Sequence, residues 1–187
     1  MGKSTAAGAF RRLGVPVFDA DAAVHRLQAR GGRAVPAIAG AFPGAVQGGA
    51  VDREALRRVV IGDNAALNRL ERIVHPLVRA EERRFVAAAR RRGLPLVVLD
   101  IPLLFETGAE RRVDAVAVVS APAAVQRARV LRRAGMTPDR LRAILLRQVP
   151  DAEKRRRADH LIPTGLSRHL AQGAVRTLVQ RLRGDRG

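Results

Sequence analysis

Short runs of apolar residues alternate along the chain with segments in which apolar residues recur every three or four positions. Three runs are rich in β-branched residues, and a weaker fourth follows them: 15–18, 94–101, 113–119 and 160–162. Runs that do not alternate with polar residues are typical of strands buried in a parallel sheet. Helical spacing fills the intervals at 66–78, up to Arg92 and at 123–134, and Thr137-Pro138-Asp139 is a typical helix start. Strands that alternate with helices predict an α/β fold with a parallel sheet.

The interval between the first two predicted strands is long. From 31 to 92 it contains no convincing strand, and a Gly/Pro-punctuated loop runs from Phe42 to Gly49. We therefore predict several helices that form a cap over the sheet, whose ligands bind at the carboxyl ends of its strands. The predicted organisation is one domain over 1–187, with a core at 1–30 and 93–187 and an inserted cap at about 31–92.

The composition excludes several classes of protein. The chain has no cysteine for a disulfide or a thiolate metal site, and its four histidines show no ligand spacing. It contains neither a run of 18 apolar residues nor a signal-peptide pattern. We therefore expect no membrane partner and a cytoplasmic location.

The net charge of +18 favours a polyanionic partner at first sight. Only Lys3 and Lys154 are lysines among the 35 cationic residues, so the charge is almost entirely arginine, as a GC-rich genome would produce. The five phenylalanines are the only aromatic residues other than histidine, which leaves little on which bases could stack. We expect an affinity for phosphorylated ligands but no specific nucleic-acid partner.

The chain opens with Met1-Gly2-Lys3-Ser4-Thr5, the last part of the phosphate-binding motif G-x-x-x-x-G-K-[ST]. In that motif backbone N–H groups surround a phosphate, the lysine reaches the β- and γ-phosphates, and the hydroxyl binds Mg²⁺. A helix predicted from Ser4 and a strand that ends at Asp19 support this interpretation. The alternative is an exposed, frayed terminus.

Three carboxylates follow predicted strands. Asp19 and Asp21 are two residues apart, so in an extended chain they face the same side. A carboxylate there can accept a proton from an attacking hydroxyl or hold Mg²⁺ through water, and the alternative is that one of them forms the N-cap of a helix at 22–29. Asp100 ends the second strand, where it can hold the water shell of a metal, form an N-cap or pair with an arginine.

Arginines crowd the two helices after the third strand. Most of them belong to a solvated face, but two or three could neutralise a transferred phosphoryl group in a lid at about 132–150. The candidates are Arg127, Arg129, Arg132, Arg133, Arg140, Arg142 and Arg147.

A series of short motifs extends from residue 2 to about residue 170. In order they are Gly-Lys-Ser-Thr (2–5), Leu-Gly-Val-Pro-Val-Phe-Asp-Ala-Asp (13–21), Val-Asp-Arg-x-x-Leu (51–56), His75-Pro76, Leu-Asp-Ile-Pro-Leu-Leu-Phe-Glu (99–106), Gln126-x-x-Arg129, Arg147-Gln148 and Ala158-Asp159. Together they resemble the dephospho-CoA kinase family. The resemblance implies a three-layer P-loop kinase fold with a parallel sheet, a helical substrate-binding cap and an Arg-rich lid. It also implies phosphorylation of the ribose 3′-hydroxyl of dephospho-CoA by ATP with Mg²⁺, the last step of coenzyme A synthesis.

The same resemblance implies residue roles. Asp21 would be the catalytic base, and Asp19 would help to position metal or substrate. The ATP phosphates and Mg²⁺ would be bound by Gly2, Lys3, Ser4 and Thr5, with Ser4 and Asp100 at the metal. Dephospho-CoA would lie along His75, Pro102, Leu103, Leu104, Phe105 and Glu106. Arg53 belongs to the motif of the cap, Arg140 is the lid candidate, and Arg147 and Gln148 would lie near the nucleotide.

The chain departs from the family pattern at three places. It lacks the apolar strand and Gly-rich stretch before Gly2, so we predict that the natural product begins about 10–15 residues earlier. Pro163-Thr164 stands where an Asn-containing loop contacts adenine in the family. In the cap, Phe42-Pro43-Gly44 replaces a Phe-Gly pair and Ile61 an expected Phe, changes that each cost about 1–2 kcal/mol at most.

Other functions remain open from the residues alone. One is another small P-loop kinase that acts on nucleotides, and a second is a basic nucleic-acid-binding module. A third is a catalytically inactive fragment. Dephospho-CoA and ATP are the expected partners, and a monomer or weak oligomer is the expected state.

Overall fold

The computed structural model describes residues 2–146 and 148–184. Met1 and Arg147, which the sequence analysis singled out, lie outside the described residues. The chain divides into two compact units. We call Met1–Val17 together with Pro95–Gly187 the split unit, and Phe18–Leu94 the inserted unit.

Both units contain helices and strands. In chain order the described elements are α1 (Lys3–Arg12), β1 (Val17–Asp19), α2 (Ala20–Gln28), α3 (Val35–Ala41), β2 (Val46–Gln47), β3 (Ala50–Val51), α4 (Arg53–Val60), α5 (Asn64–Arg91), β4 (Val98–Asp100), a 3₁₀ helix (Ala109–Arg112), β5 (Ala117–Ser120), α6 (Ala123–Leu131), α7 (Pro138–Leu146), α8 (Asp151–Arg156), β6 (His160–Pro163) and α9 (Arg168–Gly184).

All four predicted strands are present, but three of them begin later than the apolar runs do. At the first, the Val15 N–H donates to the Phe10 carbonyl oxygen at 3.0 Å as α1 closes. Pro16 has no N–H to donate to a ladder. The strand therefore begins only at Val17.

The split unit is built on a parallel strand pair and two packed helices. β5 and β6 pair in parallel from Ala117 opposite His160 to Ser120 opposite Pro163. β4 lies beside the point where β1 begins, with the Val98 N–H donating to the Pro16 carbonyl oxygen at 2.9 Å. Helices α1 and α9 pack together. Their shared core contains Ala6, Ala9, Phe10, Val15, Ile162, Val175, Leu178 and Val179.

The predicted helix start at Thr137 is confirmed. The Thr137 hydroxyl oxygen accepts a hydrogen bond from the Arg140 N–H at 3.2 Å, and α7 begins at Pro138. The preceding helix, α6, ends at Leu131, earlier than the predicted 134, and Gly135 adopts φ 71° in the connection. This region falls within the predicted lid, whose bounds stay a prediction, as do those of the predicted core and cap.

The inserted unit is mainly helical. Two of its helices begin at aspartate N-caps: Asp52 accepts from the Glu54 and Ala55 N–H groups, and Asp63 from those of Ala65 and Ala66. These N-caps fix the starts of α4 and α5. The core of the unit gathers residues from all of its helices: Leu27, Ala34, Val35, Ile38, Phe42, Ala45, Val51, Leu56, Ala66 and Val74.

The expectation that 31–92 contains no strand is wrong in one place. β2 and β3 form an antiparallel hairpin with Val46 opposite Val51. Gly48 and Gly49, both at positive φ, form its two-residue turn, where Gly-Gly is a favoured sequence. Each strand has only two residues, too few to produce a visible alternation of apolar and polar positions.

Among the helices of residues 2–146 and 148–184, none is long and apolar enough to cross a membrane.

Candidate active site

The remnant of the phosphate motif forms the N-terminus of α1. Gly2 is the N-cap, with φ 101°, and its carbonyl oxygen accepts from the Ala6 N–H at 3.0 Å. A Cβ atom at Gly2 would lie 2.8 Å from Thr164 Cγ2, so both the backbone conformation and the close approach require glycine. No side chain caps α1 in the described structure, and its first-turn N–H groups can receive an anion.

The lysine and one acid of the split unit are already paired. Lys3 Nζ lies 2.9 Å from Asp100 Oδ1, where α1 begins and β4 ends. The Asp100 side chain is 11% exposed, whereas that of Lys3 is 44% exposed. Of the alternatives for Asp100, pairing with a cation is the one observed, but the cation is lysine rather than arginine. Solvent can still reach the ammonium group.

The oxygen donors at this place fit Mg²⁺. Ser4 is exposed in the first turn of α1, and Asp100 supplies carboxylate oxygens. Mg²⁺ prefers hard oxygen ligands, and it keeps several waters when it also binds nucleotide phosphates. The described residues contain no group of three or more His, Cys, Asp or Glu side chains able to hold a metal by themselves. These residues therefore suit a Mg²⁺ ion that binds one protein hydroxyl, phosphate oxygens and water, with the carboxylate of Asp100 beside its water shell.

Asp19 and Asp21 have different surroundings. Asp19 ends β1 and is the N-cap of α2, its Oδ1 accepting from the Ala22 N–H at 2.9 Å. Asp21 lies in the first turn of α2, so the prediction that the two side chains face the same side of an extended chain is wrong. Residues two apart on a helix point in nearly opposite directions. The Asp21 carboxylate is exposed and accepts no hydrogen bond within the described part of the chain.

One turn along α2 from Asp21 lies a pair that the sequence analysis did not identify. Arg53 NH1 is 3.1 Å from His25 Nδ1. Both residues are exposed, and they stand 28 positions apart in the chain. The available signals were the four-residue spacing from Asp21 to His25 and the position of Arg53 in a family motif, neither of which predicts the contact. His75, which the resemblance placed at the substrate, is exposed on α5 just before Pro76.

The loop after β4 combines exposed and buried residues of the predicted substrate motif. Leu103 adopts φ 55°, a left-handed conformation that bulky residues rarely occupy, and it remains 44% exposed. Phe105 is buried against Val116 and Val118. Pro102 and Leu104 are half-buried. Phe105 thus anchors the loop to the core, whereas the apolar side chain of Leu103 remains at the surface.

Glu106 joins this loop to the segment after α7. Its Oε1 accepts from the Val149 N–H at 2.9 Å and lies 2.8 Å from Lys154 Nζ. Burial opposes ionisation of this carboxyl, but the hydrogen bonds from Lys154 and the backbone outweigh burial and lower its pKa below the ordinary value. Its predicted contact with substrate stays a prediction.

The lid arginines differ in what they contact. Arg140 NH1 donates to the Gly135 carbonyl oxygen at 2.6 Å, and Arg142 lies 3.4 Å from Asp139. Gln148 donates its backbone N–H to Leu145 at 3.2 Å. Arg147 lies outside the described residues. Position along the sequence could not distinguish these contacts.

Arg129 NH1 donates to the Thr164 carbonyl oxygen at 2.7 Å. Thr164 is 5% exposed, and its hydroxyl donates to the Ser120 carbonyl oxygen at 3.1 Å. The same threonine is the neighbour of Gly2. The loop that replaces the Asn-containing one is therefore fixed against the start of α1, with no asparagine in it.

The chain was compared with known proteins. It matches the family model described as dephospho-CoA kinase over residues 1–167. A dephospho-CoA kinase of Mesorhizobium japonicum is 56% identical over 187 residues, which are 100% of this chain and 94% of that protein. A dephospho-CoA kinase of Paramagnetospirillum magneticum is 67% identical over 155 residues, covering 83% of this chain and 73% of that protein.

Two solved structures are similar in fold. A crystal structure of a Thermus thermophilus protein has a TM-score of 0.80 and 38% identity, covering 97% of this chain and 92% of that one. The dephospho-CoA kinase of Campylobacter jejuni has a TM-score of 0.74 and covers 98% of this chain and 93% of that one. At 24% identity the second likeness supports the fold alone.

These comparisons confirm the predicted α/β P-loop kinase fold and the predicted enzyme class. They also confirm the predicted reaction, the ATP-dependent phosphorylation of the ribose 3′-hydroxyl of dephospho-CoA that completes coenzyme A synthesis. By the family model and by its curated relatives, the chain belongs to the dephospho-CoA kinase family.

Proposed function

We propose that Asp21 is the general base that accepts the proton of the dephospho-CoA 3′-hydroxyl during phosphoryl transfer from ATP. The observation that carries this assignment is the contrast between the two neighbouring acids. Asp19 uses a carboxylate oxygen as the N-cap of α2, whereas the Asp21 carboxylate is exposed and accepts no hydrogen bond from described residues. An open carboxylate can accept a proton from a positioned hydroxyl.

The split unit supplies the groups that bind the nucleotide. In this proposal the first-turn N–H groups of α1, at Lys3, Ser4 and Thr5, donate to the ATP phosphates after the turn at Gly2. Lys3 exchanges Asp100 for the β- and γ-phosphates, which its partial exposure allows. Asp100, once released, would hold Mg²⁺ through its water shell, and the Ser4 hydroxyl would bind it directly. Mg²⁺, when bound with ATP, neutralises phosphate charge.

Arg140 is proposed to neutralise the transferred phosphoryl group. Its guanidinium group is held on one side by Gly135, which orients the remaining N–H groups without removing their charge. Several donors in one rigid fork suit the equatorial oxygens of the transition state. Gln148 and Arg147 are proposed to lie near the nucleotide.

The proposal includes the remaining predicted contacts and conditions. Asp19, which caps α2, helps to position metal or substrate. The acceptor lies along His75, Pro102, Leu103, Leu104, Phe105 and Glu106. We propose Mg²⁺ as the cofactor, a cytoplasmic location, no specific nucleic-acid partner, and a monomer or weak oligomer.

The test is the replacement Asp21→Asn in the full-length gene product, compared with Asp63→Asn. Asp63 is the N-cap of α5, so its variant makes the same chemical change at an N-cap outside the proposed chemistry. Asp21→Asn should retain ATP binding and lower kcat by about 10²- to 10⁴-fold, as loss of a general base does. ADP release with dephospho-CoA measures it. If the two variants turn over equally fast, Asp21 is not the base.

A further inference from the structure

The chemistry of His25 and Arg53 fixes the direction of the hydrogen bond between them. A guanidinium group has only N–H donors, so the contact of 3.1 Å between Arg53 NH1 and His25 Nδ1 requires Nδ1 to be the acceptor. His25 then carries its proton on Nε2 and is neutral. The pair keeps two kinds of donor for a further partner: the Nε2–H group and the remaining guanidinium N–H groups.

Among the described residues, no carboxylate compensates the positive charge of Arg53. Arg26, next to His25 in the chain, lies 2.7 Å from Glu81, and Arg157 of the split unit pairs with Glu110. Within the described ranges Arg53 contacts no carboxylate. Its neighbour Asp52 uses Oδ1 to cap α4. A guanidinium group held by a neutral ring keeps its full charge and suits a phosphate.

The pair also stands at a defined distance from the proposed base. His25 follows Asp21 by four residues on α2, so the two share one face of the helix about 6 Å apart along its axis. In dephospho-CoA the 3′-hydroxyl and the 5′-diphosphate are separated by the width of one ribose, a comparable length. An acceptor whose 3′-hydroxyl meets Asp21 can therefore bring its diphosphate to this pair.

We propose that His25 and Arg53 form the subsite that binds the 5′-diphosphate of dephospho-CoA and so select an acceptor that carries a charged 5′ substituent. The inference rests on the proposed role of Asp21 for its geometry. It assigns the pair to acceptor binding and gives it no part in proton transfer or in the binding of ATP.

The test compares Arg53→Met with Arg57→Met in the full-length protein. Arg57 is an exposed arginine one turn further along the same helix, so its variant loses the same charge and length at a different place. Calorimetric titration should show that Arg53→Met weakens dephospho-CoA binding by about 10- to 100-fold, the range for a lost charge-assisted hydrogen bond. Arg57→Met should change it by less than about twofold. Equal affinities in the two variants would overturn the subsite.

A second readout separates binding of the diphosphate from a structural effect of the substitution. Adenosine has the 3′-hydroxyl but no diphosphate, so its inhibition constant against dephospho-CoA should be the same in wild type and Arg53→Met. A parallel loss for adenosine and dephospho-CoA would mean that the substitution disturbs the fold of the unit and would contradict the proposal. Arg53→Lys, which keeps the charge but not the fork, should recover part of the lost affinity.

The experiments test the role of Asp21 as the base and the His25–Arg53 subsite independently of each other. If Asp21→Asn turns over normally while Arg53→Met loses dephospho-CoA, the subsite stands and the base is misassigned. If Asp21→Asn loses turnover while Arg53→Met binds dephospho-CoA as the wild type does, the base stands and the subsite is wrong. For His25, His25→Ala should weaken dephospho-CoA binding more than His25→Asn, because asparagine keeps a donor and an acceptor; equal binding by both would exclude the ring from the contact.

Discussion

Several charged side chains of the split unit differ from Asp21 and Arg53 of the inserted unit in the partners that they contact. In the split unit Lys3 pairs with Asp100, Glu106 pairs with Lys154, and Arg129 donates to a carbonyl oxygen. In the inserted unit Asp21 accepts no hydrogen bond from described residues, and Arg53 is held by a neutral imidazole. A phosphate that binds Lys3 must therefore replace Asp100 as its partner, whereas a ligand of Asp21 or Arg53 replaces no ion pair of the described structure.

This difference has an energetic consequence. Breaking a partly exposed ion pair costs little, because water screens it and the median value of such pairs is about 0–1 kcal/mol. The Lys3 pair can thus hold the lysine in place without preventing its transfer to a phosphate. Asp21 and Arg53 can bind a ligand without the loss of an ion pair, but they add no ion-pair stability to the free protein.

The largest predicted effect is a loss of ATP affinity in Lys3→Met. The substitution removes the proposed phosphate ligand and leaves Asp100 without its partner, so we expect ATP affinity to fall by at least about 10-fold, as the loss of a charge-assisted contact does. Dephospho-CoA affinity should be nearly unchanged. Fluorescence or calorimetric titration with ATP and Mg²⁺ measures the effect.

Lys154→Met provides a matched control for Lys3→Met. Lys154 is the other lysine of the chain and pairs with Glu106. Its replacement should lower the free energy of unfolding without changing ATP affinity. ATP binding by Lys3→Met at the wild-type level would remove Lys3 from the phosphate site.

A smaller effect, on stability, is expected from weakening the ion pair between Glu106 and Lys154. Glu106→Gln should lower the free energy of unfolding by about 1–2 kcal/mol, because it weakens charge-assisted bonds to Val149 and Lys154. The more exposed Glu153→Gln, which weakens an i,i+4 pair with Arg157, should cost less than about 0.5 kcal/mol. Urea unfolding compares the two; an equal cost would mean that the Glu106 contacts add nothing beyond a surface pair.

The difference in stability between wild type and Glu106→Gln should depend on pH in a definite direction. The pKa of Glu106 is lowered by folding from its ordinary value of 4.5. Its contribution is therefore complete above the unfolded value and is lost as the pH falls through the folded pKa. The stability gap between wild type and Glu106→Gln should be constant above about pH 5.5 and shrink in more acidic solution. A gap that widens on acidification would contradict the assignment.

The smallest effect concerns the other acid of the Asp-Ala-Asp motif. Asp19→Ala should destabilise the protein by about 1 kcal/mol through the lost N-cap of α2, and Asp19→Asn should restore most of it, since asparagine caps as well as aspartate does. Thermal unfolding of the two variants measures this. If Asp19→Asn is as unstable as Asp19→Ala, the capping bond is not what Asp19 contributes to stability.

Several of these features could be predicted from the sequence because they depend on local chemistry. Four apolar runs marked the strands, and Thr137-Pro138 marked the start of α7. The hairpin at Gly48-Gly49 was missed because its strands are too short for any periodicity. The shift of β1 to Val17 came from a hydrogen bond that closes α1, which no pattern of apolar residues contains.

The pairing of charges was beyond the sequence for a different reason. Lys3 and Asp100 are far apart in the chain, and so are His25 and Arg53. Only the tertiary structure determines which of these side chains contact each other. The motif Asp19-Ala20-Asp21 presented two equivalent acids. The turn from strand to helix between them made one an N-cap and left the other open.

The most direct test of the account is a calorimetric titration of Lys3→Met and Arg53→Met, each with ATP and Mg²⁺ and each with dephospho-CoA. We place Lys3, which binds the nucleotide phosphates, in the split unit, and Arg53, which binds the diphosphate of the acceptor, in the inserted unit. This placement predicts a crossed result, in which Lys3→Met weakens ATP alone and Arg53→Met weakens dephospho-CoA alone, each by at least about 10-fold. Equal weakening of both ligands in either variant, or the reverse assignment, would contradict it.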